Sequence, residues 1–412
     1  MAIVKSFKGV RPKKELVKKI VSPPYDVLSS EEAREMVKGN PYSFLHIIKP
    51  EVDLPVGTDL YDEKVYQKAH DNFYEFIKKG YLFQEKKKAF YIYKQIMGEH
   101  VQIGFVAVSS VDDYEKGIIK KHELTREDKE IDRTKHILSL DAQAGPVFLV
   151  YKSDKTLDNI LSDVSMNEPE YHFSSEDGVE HIFWVVTDDS IIDNIEKEFV
   201  KIPYLYVADG HHRSAAATRV RKYKMEANPN HTGDEEYNFF LTVIFPHNQM
   251  NIMAYNRVIK DLNGLEEGDF LNRVGEKFDY EITDKKEPSS KNNIMMYLNK
   301  KWYKLVPKSG IFDKNDPVES LDVSIIQNNI IDPILGIKNV RKDKRIDFVG
   351  GIRGTDYLQS LVDNGEFAVA FSMFPTSMED LMKVADANKI MPPKSTWFEP
   401  KLRSGIVVHL LK

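Results

Sequence analysis

The sequence predicts an α+β fold with mixed sheets, spread over more than one lobe. Three observations carry that expectation. At 412 residues the chain is too long for one ordinary core and long enough for two or three domains of about 150 residues each. Helix-period and strand-period stretches alternate from end to end. Hairpin patterns coexist with strand-helix-strand units, which argues against a doubly wound parallel sheet. Changes of pattern near 155 and 275 suggest lobes at 1–155, 156–275 and 276–412, although no Pro/Gly/Ser linker marks the joins.

Taken in order, residues 61–79 carry Tyr66, Phe73, Phe76 and Ile77 at helical spacing, closed by Gly80. "AFYIYKQIM" and "VQIGFVAVSSV" flank "GEH" and read as an antiparallel hairpin. A helix is expected from about 126, where Thr125 and Asp128 resemble a capping box. On it Lys129, Asp132 and His136 share one face, while Ile131 and Leu138 can look toward the core. Strands follow at "GPVFLVY", "HIFWVVT" and "YLYVA", with an amphipathic helix at 189–200. "YNFFLTVIF" and "IMAYNRVI" are strand-like. The last third predicts helices near 268–277, 319–330, 355–363 and 376–388, strands near 293–306, at "FVGG" and at "FAVAFSMFP", and a loop entering a final strand.

Composition narrows the function. A net charge of −6 gives no electrostatic reason to expect a nucleic-acid partner. The chain has no cysteine, which removes disulfides, thiolate metal ligands and thiol nucleophiles together. The N-terminal stretch lacks the apolar run of a signal core and no apolar run approaches the length of a membrane span, so a cytoplasmic protein without a membrane partner is expected. Nothing in the sequence speaks to oligomeric state.

Chemistry concentrates in a few packets. In "VADGHHRSAAATRV" a strand reaches Asp209-Gly210 and then a helix begins. Glycine at such a junction permits positive φ and removes the Cβ that would hold a ligand off the backbone. The first helical turn leaves N–H groups unpaired, and an anion there is stabilised. Arg213 can add a charge-assisted fork. A metal held by both histidines is disfavoured, because adjacent helical positions point about 100° apart; His211 can simply shape the turn. The bland alternative is that Asp209 only caps the helix.

"KKHELTREDKEIDRTKHI" offers His122 and Glu123 for proton transfer. "HELTR" is not the zinc-protease motif, since Arg126 stands where a second histidine is required. "MPPKSTWFEPKLRSG" combines stiffening prolines with Lys394, Ser395, Thr396, Trp397, Glu399 and Arg403. Tyr25 and Asp26 in "SPPYDV", and Asn256 and Arg257 in "YNRVI", are lesser candidates. "FVGGIRGTDY" is a glycine-rich turn that matches neither the dinucleotide nor the P-loop fingerprint.

Together "SPPYDV", "KKHELT", "ADGHHR", "NRVI" and "MPPKSTWFEPKLRSG", in this order over essentially the whole chain, resemble the DUF1015 family. Within that pattern the strand-DGHHR-helix step is similar to the G-x-H-R signature of the ParB/sulfiredoxin superfamily, embedded here in a larger multi-lobed protein. That superfamily includes partition proteins that bind nucleotide and DNA, sulfiredoxins that bind ATP, and free-serine kinases. The resemblance implies that Gly210, His212 and Arg213 hold nucleotide phosphates, with Asp209 just before them. Sulfiredoxin chemistry needs a cysteine, and partition proteins need a basic DNA-binding domain; the serine-kinase branch survives both tests.

The expected function is therefore phosphoryl transfer on a small hydroxylated metabolite, serine or phosphoserine first. His122, Glu123, Asp209 and His212 are the candidate catalytic groups. Gly210, His211, His212, Arg213, Arg257, Lys394 and Arg403 are expected to bind phosphate or nucleotide. Tyr25, Asp26, Asn256, Ser395, Thr396, Trp397 and Glu399 would line the substrate pocket. ATP or ADP and Mg²⁺, the ion on Asp209, are the expected cofactors. A phosphoserine phosphatase-like hydrolase and a non-catalytic nucleotide-binding regulator are the alternatives.

Overall fold

The computed structural model describes all 412 residues, Met1–Lys412. The chain forms two compact units that are discontinuous in sequence. The first comprises Met1–Lys121, Thr125–Met250 and Pro400–Lys412; the second comprises His122–Leu124 and Asn251–Glu399. The sequence pattern suggested three consecutive lobes, because periodicity cannot reveal that the last segment returns to the first unit.

The first unit is built on a nine-stranded mixed sheet. Its strands are β1 (Val4–Lys5), β2 (Phe90–Met97), β3 (His100–Ser110), β4 (Ile119–Lys120), β5 (Val147–Tyr151), β6 (Tyr171–Ser174), β7 (Glu180–Val186), β8 (Leu205–Asp209) and β9 (Phe239–Pro246). The order is β4-β8-β5-β9-β3-β2-β7-β6, with β1 added to β3. β4–β8 and β5–β9 are parallel and the other pairs antiparallel. Its five longest helices are α1 (Glu63–Lys78), α2 (Glu127–Leu140), α3 (Lys155–Ser165), α4 (Asp189–Lys201) and α5 (His211–Ala227). The period-2 runs bury Phe90, Ile92, Phe105, Ala107, Leu149 and Ile244, and α3 and α4 add Leu157, Leu161, Ile195 and Phe199 to the same core.

The second unit carries a six-stranded, wholly antiparallel sheet. β10 (Asn251–Met253) precedes β11 (Tyr255–Ile259), β12 (Phe278–Thr283), β13 (Ile294–Leu298), β14 (Lys301–Pro307), β15 (Ile346–Gly350), β16 (Val369–Ser372) and β17 (Trp397–Glu399). The sheet order is β12-β14-β13-β16-β11-β15. Helices α6 (Glu267–Lys277), α7 (Gly354–Asp363) and α8 (Met378–Asp386) complete it; α7 lays Leu358 and Leu361 on Val258, Tyr297 and Ala370. β10 and β17 pair with each other, Asn251 against Glu399, so the long segment of this unit begins and ends on one antiparallel ladder. No helix in either unit is long and apolar enough to cross a membrane.

The mixed α+β class stands, and several local expectations change. α2 has no side-chain cap: Thr125 donates its hydroxyl to Glu130, and Asp128 pairs with Arg126. Both are charge-assisted contacts that outbid a neutral cap. On α2 Leu138 packs against a core cluster as expected, but Ile131 is 41% exposed and Asp132 and His136 are buried. The polar pair can be buried because Tyr66 donates to Asp132 at 3.0 Å and His136 Nε2 meets the Ile47 carbonyl at 2.9 Å. "IMAYNRVI" breaks into β10 and β11 at Ala254, whose carbonyl accepts from Gly351 at 2.7 Å. The helix near 319–330 is a short α-turn, Asp322–Ile326, running into a π-helical stretch, Gln327–Ile331.

Candidate functional site

In the first unit, β8 delivers Asp209 to the start of α5. The ladder between β8 and β5 slips between Val207 and Asp209, and such a bulge turns the strand end and re-aims its last side chain. Gly210 follows with φ +98°, in the left-handed region. A Cβ there would sit 3.3 Å from Val147 Cα and from Arg213 Cζ and Nε, so glycine is required by both conformation and space. No side chain caps α5, and its first internal bond is Ser214 N–H to the Gly210 carbonyl at 2.9 Å. The seventeen-residue helix therefore opens on N–H groups that no side-chain cap covers, at the positive end of its dipole.

Around this start the side chains form a closely balanced set. Lys401 Nζ lies 3.1 Å from Asp209 Oδ2. Arg213 Nη2 is 3.4 Å from Asp26 and 3.7 Å from Asp209, and Nη1 donates to the Pro146 carbonyl. Burial alone would raise the Asp209 pKa, but Lys401 and Arg213 outweigh it and hold the carboxyl well below its usual range. Burial likewise opposes the Arg213 charge, and Asp26 and Asp209 overcome it. Tyr25, beneath the Arg133 guanidinium at 4.0 Å, is pushed up to about 12 by burial. Tyr25, Arg133, His136 and Arg213 border a cavity of about 40 Å³, room for water, and the buried Nε of Arg213 has no protein acceptor.

His212 is half-buried, and its Nε2 accepts from the Arg126 backbone N–H at 3.1 Å. That bond assigns the proton to Nδ1 in the neutral ring. Burial lowers the His212 pKa, more than Asp26 and Glu130 raise it. His211 is buried at the first helical position. A Mg²⁺ ion on Asp209 does not fit this arrangement, since it would have to displace Lys401 and Arg213 from the carboxylate; hard dications take clusters of uncommitted oxygens.

Arg403 lies in the same unit and makes bonds of its own. It donates to Asp177 and, at 3.1 Å, to Ser175, next to a buried chain in which His181 joins Tyr93 at 2.7 Å and Ser175 at 2.9 Å. Its Nη2 is committed to that turn, while its buried Nε has no protein acceptor.

The remaining candidates belong to the second unit. His122 is buried, its carbonyl accepting from Met391 at 2.8 Å, and Glu123 is half-buried beside it in sequence. Asn256 is used structurally, accepting from Met373 N–H at 2.9 Å. Arg257 donates to the carbonyls of Tyr255 and, at 3.0 Å, Lys394. Lys394 Nζ lies 5.4 Å from the Tyr255 ring centre. Trp397 packs edge-on against Tyr255 at 5.1 Å and donates to Glu399 at 2.8 Å. Ser395 donates to Pro392, and its carbonyl accepts from Thr376; Thr396 is half-buried alongside. Sequence reasoning brought these residues forward but missed Lys401, Arg126 and Arg133. Lys401 lay within a quoted motif, yet nothing in its spacing set it above Lys394 or Arg403.

No curated protein matches the chain. Among solved structures, a conserved hypothetical protein from Pyrococcus furiosus aligns at 13% identity over 74% of this chain and 95% of that one, TM-score 0.37. A free serine kinase in complex with AMP aligns at 12% identity over 71% and 86%, TM-score 0.37. SbnI with C-terminal truncation from Staphylococcus aureus aligns at 11% identity over 73% and 85%, TM-score 0.38. These scores are too low to assign the chain a fold or an activity by comparison. The family described as "Protein of unknown function (DUF1015)" is another matter: its model matches residues 4–324, and the chain belongs to that family.

Proposed function

We propose that the start of α5 holds the phosphates of a nucleotide, ATP or ADP, and that the chain moves a phosphoryl group to or from the hydroxyl of a small metabolite in the cytoplasm. The observation that carries this reading is the helix start itself, without a side-chain cap, behind a left-handed Gly210. Phosphoryl transfer asks a protein mainly for positioning and for fixed positive charge around the phosphoryl oxygens. Backbone N–H groups of the first turn and the Nδ1–H of His212 would donate to those oxygens. Arg213 and Lys401 would supply the field, Lys401 by neutralising Asp209, which would otherwise repel an anion.

No step runs through Mg²⁺. The motif resemblance to the free-serine kinases selects serine and phosphoserine as substrates. Direction is decided by experiment: the full chain is incubated with serine and ATP or ADP, and separately with phosphoserine, while phosphoserine and inorganic phosphate are followed. Formation of phosphoserine makes it a kinase, and release of phosphate from phosphoserine alone makes it a hydrolase. Nucleotide binding with neither product would instead leave a nucleotide-binding regulator.

A further inference from the structure

Four arginines in the chain are buried: Arg11, Arg213, Arg257 and Arg403. Three of them face carboxylates. Arg11 meets Glu85 and Glu170, Arg213 meets Asp26 and Asp209, and Arg403 meets Asp177. Arg257, at 3% exposure the most buried of the four, meets none. Its bonds go to two backbone carbonyls, those of Tyr255 and Lys394, and its guanidinium lies 5.4 Å from the Phe348 ring centre. Carbonyls and a ring face orient a guanidinium but carry no net charge to offset it. A buried cation in that condition is costly unless an anion completes it.

The surroundings look prepared for one. A guanidinium has five N–H donors, and two are accounted for by the carbonyls. Lys394, whose carbonyl fixes Arg257, holds its own ammonium over Tyr255, and its backbone lies at φ +59°. Trp397 closes on the same Tyr255 ring and holds Glu399. Gly350 on β15 makes that closure possible, since a Cβ there would come 2.9 Å from the indole. Arg257 over Phe348, Lys394 over Tyr255 and Glu399 on Trp397 are therefore linked through one run of ring contacts, since Tyr255 meets both Phe348 and Trp397. The pattern is complementary to a small dipolar molecule: the planar fork of Arg257 matches a carboxylate in two-point fashion, and Glu399 is the acceptor for an ammonium group.

We infer that the second unit carries a recognition site for an α-amino acid, in which Arg257, supported by Lys394, binds the α-carboxylate and Glu399 the α-ammonium. The choice of serine as ligand rests on the phosphoryl-transfer reading; the class of ligand rests on Arg257. Burial also lowers the Arg257 pKa, to about 10, as expected of a cation lacking a counter-charge.

The test is calorimetric titration of the full chain with L-serine, glycine, serinamide and inorganic phosphate, for the wild type and Arg257→Met, with ADP titrated in parallel. Serine and glycine are expected to bind the wild type, and serinamide, which lacks the carboxylate, at least tenfold more weakly. Arg257→Met is expected to weaken serine at least tenfold while leaving ADP affinity unchanged. Equal binding of serine and serinamide overturns the inference, as does a cooperatively melting Arg257→Met that binds serine like the wild type. So does a wild type that binds neither amino acid, or phosphate displacing serine from Arg257. If Arg257→Met does not melt cooperatively, the serine and serinamide comparison on the wild type decides. Serine bound through Arg257 without any ADP binding would sink the phosphoryl-transfer reading and leave this one standing.

Discussion

Lys401 and Asp209, 192 residues apart in the chain, hold each other at 3.1 Å beside the first turn of α5. The pair joins the C-terminal segment to the strand-glycine-helix step within the first unit. Its role follows from electrostatics: an unpaired carboxylate at that place would oppose any anion bound at the helix start. Lys401→Met is expected to weaken ADP binding at least tenfold and to lower stability by about 1–3 kcal/mol, the range for stranding a largely buried charged partner. Titration with ADP and a urea melt read the two effects. Unchanged ADP affinity in a folded Lys401→Met protein would remove the neutralising role.

Gly210 is the second point of test. With φ +98° and its missing Cβ facing Val147 and Arg213 at 3.3 Å, alanine is disfavoured by conformation and by space together. Gly210→Ala is expected to cost more than about 1 kcal/mol and to abolish nucleotide binding, because the first turn must shift. Gly178, also at positive φ (+79°) but with nothing within 4 Å of an added Cβ, is the control: Gly178→Ala is expected to cost about 1 kcal/mol and to leave nucleotide binding intact. A Gly210→Ala protein that binds ADP like the wild type would contradict the cradle.

Acid should weaken the first unit through His136. Burial, followed by Arg133, lowers its pKa from 6.5 to about 4, so the folded state binds its proton less readily than the unfolded chain. The stabilising contribution is complete above pH 6.5 and is lost as pH falls toward about 4, on the order of 3 kcal/mol by linkage. Urea melts between pH 7.5 and 4 measure the slope. His136→Gln, which can still donate to the Ile47 carbonyl, is expected to flatten it; an identical slope in the variant would place the acid sensitivity elsewhere.

Much of this architecture was legible in the residues, and the exceptions have physical reasons. The hairpin of β2 and β3 and helices α1 and α4 follow from periodicity, which burial enforces, and the strand "GPVFLVY" from a continuous apolar run. The burial of Asp132 and His136 on α2 was not legible, because both are polar in sequence. Only their long-range partners, Tyr66 and Ile47, make burial possible, and no local pattern announces them. The start of α5 was legible because the glycine and the helix start are local. Lys401 was not, since a lysine among lysines and arginines acquires its role only when the fold sets it against Asp209. Arg257 was noticed as a cation in a strand, but its lack of a carboxylate is a property of the folded chain alone.

The central claim is that the start of α5 binds phosphate groups. Its most direct test is calorimetric titration of ADP into the full chain and into Arg213→Gln, with both proteins shown to melt cooperatively. Saturable binding to the wild type and at least a tenfold loss in the variant, about 1.4 kcal/mol, is the expected result. Equal affinity in the two proteins, or no binding of ADP to the wild type, would contradict it.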